Sequence, residues 1–190
     1  MLQHTRNYAK DYERTGKKGE VRYIGRHYRF SLEAAGLKRI KICYALLLFA
    51  ALGLYAAVGV SGSAAFGGAG TPAAFYVALP YVALLLPLGL AFARMLLLVF
   101  LSRPLEYAEY DKYLVRQKGV FFFALALSGV LTVGLAVFLL FGRQAEKARE
   151  WAAFLASAFC FGCIFFAFRQ YHALIQSIII DEPSGVRYDI

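Results

Sequence analysis

Four long apolar stretches dominate the chain, each bounded by polar or basic residues: Ile42 to Val60, Ala73 to Leu101, Val120 to Phe141 and Trp151 to Phe168. Each falls within or above the roughly 17–25 residues that a helix needs to cross a hydrocarbon core. The pattern therefore predicts an all-α membrane protein, a bundle of four transmembrane helices. The connection between the first two spans, Ser61 to Pro72, is uncharged and glycine-rich, which suits a tight turn between antiparallel neighbours. The first apolar run begins only after about 40 mostly polar residues, so a cleaved leader is not expected.

The polar flanks carry patterns of their own. Residues 1–19 are basic and poor in aliphatics, and read as a mobile, solvated arm. Residues 20–41 hold GEVRYIGRHYRF, a run of strand formers around a glycine, and then the start of the first helix. A two-residue turn at Ile24-Gly25 would pair Val21 with Tyr28 and Glu20 with Arg29, and Ser31 reads as the N-cap of the following helix. Residues 42–176 form the bundle, and residues 177–190 suit a second hairpin around Pro183-Ser184-Gly185. The two tails are expected to meet as one small cytoplasmic β cap. Ala173 to Ile180 also fits helical spacing, so an extension of the fourth helix stays open. Small residues suggest close helix contacts at Gly53 and Ala57, at Ser128, Thr132 and Ala136, and along Ala152 to Gly162.

Composition agrees with the spans: 60% of the residues are hydrophobic, and 21 Lys and Arg against 12 Asp and Glu give a net charge of +9. The distribution of that charge says more. Eleven Lys or Arg precede the first span, none lies in the first loop, four lie in the second, three in the third and two in the tail. The bias predicts a multi-pass protein of the cell (inner) membrane with both termini cytoplasmic.

The second span carries the sharpest local contradiction. Pro80, Pro87 and Arg94 sit seven apart in a 29-residue apolar stretch and so share one helix face. Proline removes a helical hydrogen bond, and a charge in an apolar run must snorkel or find a partner. These three residues are the ligand or pathway candidates. Tyr107, Tyr110 and Tyr113 recur every third residue at the start of the third helix and form a candidate partner-docking stripe. The same stripe would also serve as an interfacial aromatic belt or as a contact with the protein's own cap.

Catalytic motifs are scarce. No glycine-rich phosphate loop, HExxH or Ser-centred elbow occurs, and no spacing of His4, His27 and His172 suggests a metal site. Cys160-Phe161-Gly162-Cys163 resembles the CxxC of quinone-coupled thiol oxidoreductases of the vitamin K epoxide reductase and disulfide-generating type. That resemblance implies a redox pair near the external end of a helix. Here Cys160 lies nine residues past Trp151, roughly 13 Å along a helix, and the external loops hold no cysteine. The pair also reads as a helix-packing face beside Gly162.

The function these features support is a non-enzymatic membrane subunit or regulator acting through its basic cytoplasmic face. A small oligomeric transporter or channel using the Pro80, Pro87 and Arg94 face is the alternative, and a thiol oxidoreductase through Cys160 and Cys163 a second. No cofactor is implied. The expected partners are the lipid bilayer and either a protein partner or further copies of the chain. Anionic lipid suits the basic N-terminal segment, and nucleic acid is not expected.

Overall fold

The computed structural model describes residues 12–15, 20–23, 27–67, 73–100, 105–141 and 147–181. Four helices are long and apolar enough to cross a membrane, and the chain fits a polytopic membrane protein. They are α1 (Ala34–Val60), α2 (Phe75–Phe100), α4 (Arg116–Phe141) and α5 (Lys147–Gln176). A short helix, α3 (Tyr107–Tyr110), runs through one wide π turn (Asp111–Val115) into α4. Around the bundle, α1 packs on α5, α5 on α4, α4 on α2, and α2 closes back on α1.

The buried positions follow a regular rhythm. In α5 they are Ala153, Ser157, Cys160, Ile164, Ala167, Tyr171 and Leu174, and in α1 Tyr44, Leu48, Ala51, Tyr55 and Val58. The steps alternate between four and three residues, the spacing of a coiled-coil seam. Large side chains such as Phe49, Leu86, Phe123 and Phe165 point outward, as a lipid-facing surface requires. The outward set includes Gly53 and Ala57, so the contact expected there is not made. The seam of α1 runs instead through Ala51 and Tyr55. On the other helices small residues do meet: Ser157 Oγ donates to Thr132 Oγ1 at 3.3 Å, and Thr132 donates to the Ser128 carbonyl at 2.8 Å.

Both tails meet at one end of the bundle. Strand β3 (His27–Phe30) lies between β4 (Leu105–Glu106), from the α2–α3 link, and β5 (Ile178–Asp181), from the C-terminal tail. All pairing is antiparallel, with Tyr28 opposite Ile180 on one side and Leu105 on the other. Lys41 sits over the Phe30 ring at 5.4 Å and ties α1 to the sheet. Strand formation in the C-terminal tail has a local cause. The Ser177 hydroxyl bonds back to the Leu174 carbonyl at 2.7 Å and closes α5, and three β-branched isoleucines follow.

The pairing within the N-terminal tail differs from expectation. Val21 pairs with Arg14 and Glu20 with Thr15, in a separate two-stranded ribbon of β1 (Tyr12–Thr15) and β2 (Glu20–Tyr23). A lone β2–β3 hairpin would give β3 one ladder, whereas the bundle end gives it two and buries Tyr28. Ser31 is not the N-cap of α1. That position is Glu33, and the Ser31 amide instead continues the β3–β5 ladder to the Ser177 carbonyl at 2.6 Å. The expected hairpin around Pro183 to Gly185 lies outside the described residues.

Candidate functional site

Polar side chains gather at the two ends of the bundle. At the end carrying the sheet, Gln117 is buried on α4 and bonds in three directions. Its Nε2 donates to the Tyr44 hydroxyl and to the Ala91 carbonyl, both at 3.3 Å, and its Oε1 accepts from Arg94 Nη1 at 3.5 Å. One amide thus links α1, α2 and α4. Arg94 is half-buried, and its charge faces the Tyr44 and Tyr171 hydroxyls.

Tyr171 explains the wide turn that opens α4. Its hydroxyl donates to the Leu114 carbonyl at 2.5 Å and faces the Lys118 backbone N–H. In an unbroken α-helix those two groups would bond each other across four residues. A side chain inserted into that ladder widens the turn locally.

The two prolines have different surroundings. Pro80 and Pro87 are both buried toward the bundle. Pro80 leaves the Tyr76 carbonyl without its helical donor, and that oxygen lies against Gly134 of α4. Pro87 lines an outward groove between α2 and α4. Pro80, Pro87 and Arg94 share a helix, and of the three Pro87 lines this groove. Of the tyrosine stripe, Tyr110 stacks on Tyr28 with ring centroids 4.2 Å apart, so it braces the sheet. Tyr113 is half-buried beneath Lys112 Nζ at 5.4 Å, and the side chain of Tyr107 lies outside the described set.

At the opposite end, Glu150 in the first turn of α5 is 3% exposed. Its carboxylate accepts from Ser63 Oγ at 2.6 Å and from the Ala64 amide at 2.8 Å. Ser63 in turn caps the short 3-10 turn Ala64–Phe66 by accepting from the Ala65 amide at 3.1 Å. Gly67, with φ 87°, then turns the chain toward α2. A carboxylate buried at the start of α5 thereby fastens the α1–α2 connection.

Cys160 is buried at the middle of the α1–α5 seam and donates to the Ala51 carbonyl at 3.3 Å, while Cys163 is half-buried. The thiol is used as a packing donor to the neighbouring helix. Among the described residues no acid–base pair is set beside either sulfur. No protein-family model, curated protein or solved structure matches this chain. Sequence reasoning passed over Gln117, at the foot of the third helix, and Glu150, at the end of the third loop. The available signal was the heptad step: 114, 117, 121, 124 and 150, 153, 157, 160 are each continuous buried rows.

Proposed function

We propose that this protein is a non-enzymatic subunit or regulator of the inner membrane, acting on a protein partner at the basic end of its bundle. The observation that supports this reading is the sheet. Two tails and an interhelical link are combined there into one small surface. Its outermost described strand, β5, presents Ile179 and Ile180 at 57% and 49% exposure. Such an edge suits strand addition by a partner. The buried polar groups, by contrast, are used in holding helices together. The pathway alternative would require the Pro80, Pro87 and Arg94 face to open, and Leu84, Leu88, Ala91 and Met95 are packed closed along that helix.

The orientation that accompanies this reading places the sheet and both termini in the cytoplasm. Lys38, Arg39, Lys41, Arg94, Arg116 and Arg169 cluster toward the sheet end, which supports it. Reporter fusions after Thr5, within Ser61 to Thr71 and after Ile190 should read inside, outside and inside. An external C-terminus would refute the orientation.

For the partner itself, tagged protein purified in mild detergent should bring down one component in stoichiometric amount. Ile179→Asp should release it while leaving thermal unfolding unchanged. Recovery of the chain alone, or a partner indifferent to Ile179→Asp, would remove the sheet edge from the account.

A further inference from the structure

We propose that the groove between α2 and α4 binds an anionic glycerophospholipid, with one acyl chain in the groove and the phosphate at Arg116. The groove encloses about 670 Å³ and is lined by Val82, Leu86, Pro87, Leu90, Val120 and Phe123, with Arg116 as the one charged wall residue among the described residues. Gly119 gives it depth: a side chain there would enter open space. These features make a slot that is apolar along its length and basic at one end.

Length decides what kind of molecule fits. On α4 the lining runs from Arg116 to Leu127, about 16 Å at helical rise, or half of a ~30 Å hydrocarbon core. A partner helix, or a helix of a second copy, would cross the whole core and overrun the groove by about its own length again. A lipid of one leaflet would not. Its chain would end near the midplane and its headgroup would lie at the mouth.

Charge decides which lipid. Arg116 is 65% exposed, and Asp111 holds its Nε at 2.9 Å. The guanidinium is thereby fixed from one side while its terminal nitrogens have no partner among the described residues. On the facing helix Arg94 turns inward to Gln117 Oε1 at 3.5 Å, which leaves Arg116 as the basic group on the groove. That guanidinium suits a phosphodiester better than a headgroup carrying its own ammonium, because the fork geometry of arginine matches phosphate oxygens.

The test uses purified full-length protein in mild detergent, with phosphatidylglycerol and phosphatidylcholine of identical chains as probes, read by native mass spectrometry. One equivalent of phosphatidylglycerol should be retained about fivefold more strongly than phosphatidylcholine, the worth of one basic side chain against an anionic headgroup. Arg116→Gln should abolish that preference, and Gly119→Phe should remove binding of both lipids. Thermal unfolding without lipid, matched to the parent, establishes that each variant is folded. Glycerol phosphate should not displace the bound lipid, since it lacks the chain. Equal retention of the two lipids, unchanged binding in Gly119→Phe, or a dimer that Gly119→Phe abolishes would each overturn the proposal.

Discussion

Glu150→Ala is expected to destabilise the bundle by about 2–3 kcal/mol, the range for losing hydrogen bonds made to a buried charged group. The carboxylate accepts from Ser63 Oγ and the Ala64 amide in a site almost closed to solvent. Alanine would leave both donors without a partner, and the 3-10 turn would lose its fastening to α5. Glu150→Gln retains an acceptor for one of the two donors and should cost about half as much. Ser63→Ala should fall between them, since it removes one donor to Glu150 and the cap on Ala65 together. Unfolding in a graded mixture of mild and denaturing detergent measures all three. If Glu150→Ala changes stability by less than about 0.5 kcal/mol, the value expected of an ordinary surface substitution, the carboxylate is not holding the turn.

The four helices could be read from the sequence because lipid imposes a simple demand, about 20 apolar residues per crossing. Which face of each helix turns inward could not be read the same way. In water the buried face is the apolar one, but in lipid both faces are apolar and the contrast disappears. The inward rows accordingly hold Ser128, Ser157, Cys160 and Gln117, while Phe49, Leu86 and Phe123 face out. Small-residue spacing was only a partial substitute. It found the Ser128, Thr132 and Ser157 contact but also selected Gly53 and Ala57, which face outward.

The cap divides along similar lines. That both tails contribute strands followed from composition and from the even number of spans. The partner of each strand is a non-local choice made by the bundle end, where β3 found β4 and β5 rather than β2. Arg94 was conspicuous as a lone charge, whereas Gln117 and Glu150 stood next to loops and looked ordinary. Their importance comes from the heptad row each continues.

The second large effect is expected at Gly134, where the proline of one helix and the glycine of another act together. Pro80 cannot return a hydrogen bond to the Tyr76 carbonyl, and in lipid a freed carbonyl is costly unless a neighbour re-satisfies it. The Tyr76 oxygen lies so near Gly134 that a Cβ there would sit 3.1 Å from it and 3.4 Å from Val77 Cγ2. The missing side chain lets the backbone of α4 approach that oxygen closely. Gly134→Leu would force α2 and α4 apart and should cost about 2–3 kcal/mol, the upper part of the range for overpacking. Gly134→Ala should cost about 1 kcal/mol, since the atom it meets is backbone and cannot swing aside. Pro80→Ala supplies the missing N–H, drawing the Tyr76 carbonyl back into its own helix. In that background the cost of Gly134→Ala should shrink, giving a coupling of at least about 0.5 kcal/mol in a double-mutant cycle. Unfolding measurements on the four proteins of the cycle test this. Additivity within about 0.3 kcal/mol would mean that Pro80 and Gly134 act independently.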